Sequence, residues 1–218
     1  MKVLSVNCGL PREVVWHGTS VTTSIFKSPV EGRVALRTLN LDGDRQSDLT
    51  VHGGTHKAIY NYPIEHYAYW KAELPGLPLP MGSFGENFTT EGLFEDEAHI
   101  GDRFSVGSAE VVVTQPRLPC YKLGIRFGSD EMVKRFLDSR RTGIYFAVAR
   151  EGDVGTGDEL KVVSRDADAV PVSEITRLYL TKNYSNKDIE ILLRVLNIAA
   201  LPDGWREHFK EKLDRAKR

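Results

Sequence analysis

Two prolines end an apolar run near the middle of the chain and restrict the shape of the segment after it. Residues 111–113 are three consecutive valines, whose β-branched side chains predict a buried strand. Pro116 and Pro119 cannot continue that strand, because a proline has a fixed φ and no backbone N–H to donate. The sequence therefore predicts a strand that ends near Gln115, followed by a rigid, extended corner that carries Cys120.

Cys120 is the first candidate for chemistry. Arg117 and Lys122 flank it in the sequence, and a positive surrounding favours the thiolate. A thiolate attacks electrophiles and binds soft metals. The alternative is a small apolar side chain that fills space, because cysteines without a disulfide are often buried and inert. The residues alone leave both interpretations open.

Composition excludes several classes of protein. The chain has 218 residues, enough for a sizeable core and for one or two domains. Its 29 basic and 30 acidic residues argue against binding to nucleic acid or to an anionic membrane. Cys8 and Cys120 cannot form a disulfide framework, which fits a reducing compartment. No apolar stretch approaches the roughly 20 residues of a membrane span, and the start lacks the pattern of a signal peptide. We therefore expect a cytoplasmic protein with neither nucleic acid nor membrane as a partner.

Residues 1–166 have the texture of a mainly β domain. Short apolar runs predict strands at residues 2–7, 32–39, 58–62, 100–106, 110–114, 144–149 and 159–163. Helices are expected at residues 64–73 and 130–139, the second with Ser129 as its N-cap. Short strands separated by Gly-Asp turns are typical of a barrel or a sandwich, so we predict such a fold with inserted helices.

Residues 167–218 have a different, helical texture. A turn around residues 166–171 precedes three predicted helices, at residues 174–179, 187–196 and 204–216. Ser173 and Ser185 are the expected N-caps of the first two. His208 lies among charged residues, so we expect it on a solvated face. This division predicts a β domain over residues 1–166 and a three-helix region over residues 167–218.

Three polar segments are candidates for ligand binding. Lys27 and Ser28 place a cation and a hydroxyl before a proline, which suits a phosphate, although a solvated lysine before a turn explains them equally well. In residues 82–92, which contain three glycines, Asn87 offers both a donor and an acceptor to a heterocycle, whereas a long surface turn is the simpler alternative.

The third segment runs from residue 41 to residue 58. Gly53 and Gly54 let backbone N–H groups approach a ligand closely, with added charge from Arg45, His52 and Lys57. A metal site of His52 with His56 is disfavoured, because the two glycines oppose the helix that would bring both rings to one face. Hydrogen bonds from these histidines to the backbone remain an alternative.

The order of these motifs along the chain is more specific than any one of them. Lys-Ser-Pro at 27–29, Asp-Gly-Asp-Arg at 42–45, His-Gly-Gly-x-x-Lys-Ala at 52–58, Gly-Glu-Asn-Phe-Thr at 85–89 and Gln-Pro-Arg-x-Pro-Cys-Tyr-Lys-Leu at 115–123 together resemble the MOSC family, the molybdenum cofactor sulfurase C-terminal domain. The helical tail resembles the three-helix extension of one bacterial branch, which includes the protein that confers resistance to 6-hydroxylaminopurine. The resemblance covers nearly the whole chain.

The resemblance implies a β-barrel that binds a molybdopterin cofactor with a cysteine as molybdenum ligand. Cys120 matches that cysteine. Lys27, Ser28, Arg45 and Asn87 match residues near the cofactor in the distant mitochondrial amidoxime-reducing component. Gly53 and Gly54 have no firm counterpart in that relative, so their expected role rests on the backbone N–H groups that the loop with His52 can offer to a phosphate. Together with Arg117, these residues complete the expected cofactor-binding set.

The function implied is that of a molybdenum-dependent reductase of small N-hydroxylated compounds, such as 6-hydroxylaminopurine or amidoxime-like bases. Electrons would come from a separate flavoprotein or iron–sulfur partner, because the chain has no dinucleotide fingerprint and too few cysteines for its own cluster. Two alternatives stay open: a sulfur carrier with a persulfide on Cys120, and a module that binds or delivers the cofactor.

Overall fold

The computed structural model describes residues 1–47, 53–165 and 168–216. Its strands are β1 (Lys2–Cys8), β2 (Arg12–Trp16), β3 (Thr19–Thr23), β4 (Ser28–Pro29), β5 (Arg33–Leu36), β6 (Ile59–Pro63), β7 (Phe88–Glu91), β8 (Arg103–Val106), β9 (Ala109–Pro116), β10 (Ile144–Arg150), β11 (Gly152–Gly155) and β12 (Leu160–Ser164). Its helices are α1 (Glu65–Glu73), α2 (Tyr121–Phe127), α3 (Glu131–Asp138), α4 (Val172–Leu180), α5 (Asn186–Asn197) and α6 (Asp203–Ala216). A short 3₁₀ turn covers Thr55–Lys57.

One curved sheet of eight strands forms the frame of the molecule. Its order is β12-β8-β9-β10-β6-β7-β1-β4, and only the β6–β7 pair is parallel. The two sides of the sheet meet where Lys2 forms an isolated bridge with Glu159 and Leu160 N–H donates to Met1 O at 2.9 Å. The predicted mainly β fold with helices is thus confirmed. Among the described residues, the two sides of the sheet are joined by this bridge and a few backbone hydrogen bonds, including Val3 N–H to Asp158 O at 2.8 Å, and not by a full ladder.

Two separate groups of buried side chains cover the two faces of the sheet. Successive residues of a strand point to opposite faces, and β6 shows this: Ile59 joins one group, while Tyr60 and Tyr62 join the other. The first group is aliphatic and includes Val111 of β9. The second is an aromatic cluster, to which α1 contributes Trp70, α2 contributes Leu123 and α3 contributes Phe136. Both faces of β6 are covered, so all five of its residues are buried.

The C-terminal helices share the aliphatic core of the sheet. Ile175 of α4, Leu192 of α5 and Phe209 of α6 belong to the same buried group as the strand residues. The indole Nε1 of Trp205 also donates to Gln115 Oε1 at 2.7 Å, which ties α6 to the end of β9. The division into a β domain and a three-helix region stays a prediction. Among the described helices, none combines the length and the apolar character that a bilayer crossing requires.

The local predictions had mixed outcomes. All seven predicted strands overlap observed ones, which are β1, β5, β6, β8, β9, β10 and β12. Ser185 caps α5 as predicted, in a reciprocal pair with Asp188. The other two caps were wrong, because α3 begins after Asp130 and α4 begins after Pro171. The β2–β3 hairpin and α2 were not predicted.

Replacing Trp205 by phenylalanine tests the contact between α6 and β9. The Trp205→Phe variant keeps an aromatic ring but leaves the buried Gln115 Oε1 without its donor. We expect the free energy of unfolding to fall by about 1–3 kcal/mol in urea denaturation. The matched Trp16→Phe change, at a partly exposed residue of β2, should cost under about 0.5 kcal/mol. Equal effects of the two changes would show that the Trp205 hydrogen bond does not hold α6.

Candidate functional site

Cys120 lies at the end of the short segment that connects β9 to α2. After Pro116 the chain runs through Arg117 to Pro119, and Cys120 is the N-cap of α2 with φ −124° and ψ 174°. This backbone is extended, as the two prolines predicted. The helix that starts at the next residue was not expected. Leu123 anchors this helix in the aromatic cluster, which fixes the direction of the corner.

Cys120 forms part of the wall between two cavities. The inner pocket is lined by Lys27, Asp44, Lys57, Asn87, Arg117 and Lys122, with Ser24, Tyr60 and Tyr145 among its other residues. The outer cleft is lined by Gly53, Gly54 and Pro119 on the strand side and by Tyr179, Gly204, Trp205 and His208 on the helical side. Cys120, Lys57 and Tyr145 line both. The volumes are about 90 Å³ for the pocket and about 640 Å³ for the cleft, so the inner pocket has room only for a small group.

A buried carboxylate organises the floor of the inner pocket. Asp44 forms an ion pair with the ammonium of Lys27, and the two side chains are only 1% and 8% exposed. Asp44 also accepts hydrogen bonds from Gly9 N–H at 2.8 Å and from Asn87 Nδ2 at 2.9 Å. A buried charge with this many donors is well compensated. Asp44 therefore connects three segments of the chain that are remote in sequence.

Both the nitrogen and the oxygen of the Asn87 side-chain amide form hydrogen bonds within the protein. Nδ2 donates to Asn7 O at 3.3 Å as well as to Asp44, and Oδ1 accepts from Tyr60 N–H at 3.1 Å. The side chain was predicted to read a heterocycle from a loop. It lines the pocket, yet its described hydrogen bonds hold Asp44 and Tyr60 in position, and the segment after it is the central strand β7 rather than a surface turn.

A second buried carboxylate shapes the loop before Asn87. Glu86 is fully buried and accepts from Gly82 N–H at 2.8 Å, Phe84 N–H at 3.0 Å and Thr89 Oγ1 at 2.9 Å, in addition to the hydroxyl of Tyr67. Burial raises the pKa of Glu86, while these hydrogen bonds oppose the rise. The loop is thus tightly fixed around Phe84.

Arg117 and Lys122 give the inner pocket an excess of positive charge. Arg117 is 6% exposed; its guanidinium donates to Phe84 O at 2.6 Å and lies 4.7 Å from the centre of the Tyr60 ring. Lys122 is 7% exposed and donates to Ser47 Oγ at 3.2 Å. In the part of the chain that the structure describes, neither forms an ion pair with a carboxylate. Buried cations of this kind are costly unless an anion joins them, so the pocket suits an anionic ligand.

Burial shifts the titration of the residues around Cys120. It lowers the pKa of Lys57, and the thiol of Cys120 acts in the opposite direction. It raises the pKa of the Tyr60 and Tyr145 hydroxyls, which therefore stay protonated at neutral pH. Cys8 lies outside both cavities, and burial together with Asp44 raises the pKa of its thiol to about 11. Cys8 is thus a neutral thiol near pH 7, in agreement with a structural role.

The structure brings most of the predicted site residues together, with exceptions. Lys27, Asn87, Arg117 and Cys120 line the inner pocket, and Gly53 and Gly54 line the outer cleft beside Cys120. His52 lies outside the described residues. Within those residues, no cluster of histidine, cysteine and acidic side chains could hold a metal ion by itself.

Ser28 and Arg45 do not reach either cavity. Ser28 pairs with Cys8 through the backbone of β4, and its side chain is exposed. Arg45 donates its backbone N–H to Gly9 O at 3.1 Å, and its side chain is exposed because the preceding residue, Asp44, takes the inward position. Neither side chain lines either cavity in the described chain, and the expectation that both bind the cofactor stays a prediction.

Sequence reasoning missed three residues of the site and misplaced a fourth. Asp44 belongs to the motif Asp-Gly-Asp-Arg at residues 42–45, but the binding role was predicted for its neighbour Arg45. Lys122 was considered only as a positive charge near Cys120. Tyr145 was predicted to lie in a strand, and nothing in the sequence indicated that it lines a ligand site. His208 was expected on a solvated face; instead it is half-buried against Tyr179 and lines the outer cleft, and burial lowers its pKa.

Comparison with known proteins agrees with this geometry. Residues 48–161 match the MOSC domain family. The chain is 41% identical to protein YflK of Bacillus subtilis (strain 168), over 98% of its own length and 95% of that protein. It is 35% identical to YiiM of Escherichia coli (strain K12), over 84% of this chain and 81% of YiiM. A protein of Gibberella moniliformis named "Reductase" is 30% identical over 77% of this chain, which spans 30% of that longer protein.

Solved structures show the same relationship. The crystal structure of YiiM from Geobacillus stearothermophilus superposes with a TM-score of 0.80 at 32% identity, over 97% of this chain and 98% of that one. The chain belongs to the MOSC domain family, a family named for the molybdenum cofactor sulfurase. Within the family, it belongs to the branch that contains the YiiM proteins.

Removing the amine of Lys27 should destabilise the fold. In Lys27→Ala the carboxylate of Asp44 stays buried without its cation, so we expect a loss of about 3–5 kcal/mol in the free energy of unfolding of the cofactor-free protein. Arg45→Ala, at an exposed position of the same loop system, should change it by less than about 0.5 kcal/mol. Chemical denaturation measures both. A stable Lys27→Ala variant would mean that Asp44 is not held by this ion pair.

Proposed function

We propose that the protein is a molybdenum-cofactor-dependent reductase of N-hydroxylated compounds, with Cys120 as the protein ligand of the metal. The observation that carries the proposal is the position of Cys120 in the wall between a basic pocket and a wider cleft without carboxylates among its described residues. Membership in the MOSC family supports the cofactor, and the relative named "Reductase" supports the type of reaction.

The residues of the inner pocket fit the anionic part of such a cofactor. Molybdopterin carries a phosphate, and Arg117 and Lys122 offer buried positive charge that the described part of the chain leaves without a carboxylate. The hydroxyl of Ser24, also in the pocket, is buried with no hydrogen-bond partner among the described residues. The phosphate would therefore supply acceptors for donors that the fold has already buried.

Cys120 would offer a soft sulfur ligand at the inner end of the cleft. When bound, the cofactor supplies a metal that changes oxidation state and exchanges oxygen with the substrate. The protein's own part is to place that sulfur on a rigid corner and to neutralise the cofactor's charge. Lys57 lines both cavities beside Cys120, so its Nζ would be placed to donate a proton to the oxygen that leaves.

The reaction needs a separate source of electrons. Conversion of an N–OH group to N–H releases one water and consumes two electrons and two protons. The chain has no dinucleotide fingerprint, and its cysteines are too few for an iron–sulfur cluster, so a flavoprotein or iron–sulfur protein is the expected donor. Neither cysteine forms a disulfide, which suits a cytosolic location.

Replacing Cys120 tests the metal ligand. Because a serine hydroxyl is harder and far less acidic than a thiol, Cys120→Ser should lose molybdenum and reductase activity while the protein stays folded. Metal analysis after expression in a host that makes the cofactor measures the first effect, and turnover of 6-hydroxylaminopurine measures the second.

Cys8→Ser is the matched control and should keep both properties, because Cys8 lies outside the two cavities. Full metal content in Cys120→Ser would rule out the ligand assignment. Wild-type protein without molybdenum, but with one extra sulfur atom on Cys120 by mass spectrometry, would favour a persulfide carrier instead. Stoichiometric molybdenum without turnover would favour a cofactor carrier.

A substitution of Lys122 tests the binding of the cofactor without lowering the stability of the fold. Lys122→Gln removes a buried cation that has no carboxylate partner in the described chain, so the cofactor-free protein should be at least as stable as wild type. Retention of molybdenum during dialysis should weaken at least about tenfold, or about 1.4 kcal/mol. Lys71→Gln, on the exposed side of α1, is the control. Unchanged retention in Lys122→Gln would exclude Lys122 from the anion site.

A further inference from the structure

We propose that a groove between the end of α4 and one face of α6 is the docking surface for the electron donor, a protein with an acidic face around its redox centre. This helical groove has a volume of about 660 Å³, and the residues that give it its character are Tyr179, Lys182, Tyr184, His208, Lys212 and Arg215. The inference rests on the proposed function, because a docked donor is needed only by a protein that takes its electrons from elsewhere.

The helical groove is basic. Lys182, Lys212 and Arg215 line it, and no aspartate or glutamate does so in the part of the chain that the structure describes. Lys182 is exposed and forms no ion pair with a described residue. Arg215 pairs with Glu211 at 3.5 Å, one turn earlier on α6, but both side chains are largely exposed and such a pair is weak. The surface therefore complements an acidic partner.

The rim of the helical groove is fixed before any partner binds. The ammonium of Lys212 donates to three carbonyl oxygens at the end of α4, those of Tyr179 at 2.6 Å, Thr181 at 3.1 Å and Leu178 at 3.4 Å. It also lies 5.6 Å from the ring centre of Tyr179 and 5.5 Å from that of Tyr184. These contacts tie α6 to α4, so a partner would have little to order when it docks.

The helical groove shares a wall with the outer cleft. Tyr179 and His208 line both, and their ring centres are 5.1 Å apart. Cys120 lines the same cleft. A donor in the helical groove would therefore be separated from the proposed metal ligand by this pair of rings and the cleft. It would not have to enter the cleft itself, so donor and substrate would not compete for one place.

The electron balance shows what the partner must supply. Reduction of one N–OH group to N–H, with release of one water, takes two electrons from the donor, which is oxidised, and two protons from solvent. Among the described residues, no cluster of histidine, cysteine and acidic side chains could hold a metal centre that stores these electrons. The donor must therefore reach the side of the molecule where Cys120 lies, and the helical groove is a basic surface beside that cleft.

Reversal of charge in the helical groove tests the docking surface. The probe is reduced flavodoxin, an acidic flavoprotein, and turnover of 6-hydroxylaminopurine by the full-length, molybdenum-loaded protein is measured at increasing flavodoxin concentration. In Lys182→Glu and in Arg215→Glu the KM for flavodoxin should rise at least about tenfold with little change in kcat, because the reversed charge repels the acidic partner during encounter. The wild-type KM should also rise with salt between about 0.05 and 0.5 M, which screens the attraction.

Two controls separate docking from chemistry. Lys71→Glu, at an exposed position of α1, makes the same change of charge away from the helical groove and should keep the wild-type KM. Dithionite-reduced methyl viologen is a small reductant that needs no docking surface. With viologen, all the variants should turn over at the wild-type rate and contain as much molybdenum as wild type.

Several results would overturn the inference while the reductase function stands. Normal turnover with viologen, combined with an unchanged KM for flavodoxin in both groove variants, would place the donor elsewhere. Viologen turnover without any turnover by wild type with flavodoxin would also exclude this class of partner. Loss of viologen turnover in Lys182→Glu and Arg215→Glu would mean that the helical groove supports the active site. A wild-type dimer that Lys182→Glu dissociates, seen by sedimentation, would assign the surface to a second copy of the chain.

Failure of the reductase function itself gives a different pattern. Wild-type protein that contains molybdenum but does not turn over with viologen would refute the proposed function. Isothermal titration calorimetry with oxidised flavodoxin would then decide the docking surface by itself. Binding that Lys182→Glu abolishes would uphold a surface for an acidic redox protein, and absence of binding by wild type would overturn it.

Discussion

The buried carboxylate of Asp44 is the interaction on which the candidate site most depends. It accepts from Gly9 after β1, from Lys27 before β4 and from Asn87 before β7, so one side chain fixes three loops at the same end of the sheet. A carboxylate buried this deeply requires all of these donors, because each lost donor leaves desolvation uncompensated. The shape of the floor of the inner pocket is consequently fixed by contacts within the protein itself.

Glu86 is a second buried carboxylate whose hydrogen bonds fix a loop, and that loop contacts the segment that carries Cys120. This buried carboxylate shapes the loop that contains Phe84, and the carbonyl of Phe84 accepts from Arg117. Arg117 stands three residues before Cys120 and within the same pocket wall. The position of the thiol thus depends on a chain of buried polar contacts that begins at Glu86. The aromatic cluster beneath it, with Leu123 of α2, excludes water from the other side.

The sequence predicted the central strands β6, β9 and β10 well because most side chains of their apolar runs are buried or half-buried, and the runs reflect that burial. It missed α2, which is short, contains Gly124 and has no side-chain cap from Cys120. It missed the β2–β3 hairpin because the turn uses His17 and Gly18, both with positive φ, and His-Gly is an uncommon turn signal. The choice of Arg45 over Asp44 failed for a related reason: in an irregular loop, no periodicity tells which of two neighbours points inward. The wall formed by α6 depends on contacts between residues ninety positions apart, such as Trp205 with Gln115, which no local pattern encodes.

The central proposal is that Cys120 binds molybdenum between the inner pocket, which would hold the phosphate of the cofactor, and the outer cleft. A crystal structure of the protein purified from a host that makes the cofactor, with anomalous data collected across the molybdenum absorption edge, tests it most directly. We expect an anomalous peak at bonding distance from Cys120 Sγ, and density for a phosphate beside Arg117 and Lys122. A fully loaded protein whose metal lies away from Cys120, or whose phosphate lies in the outer cleft, would contradict the account.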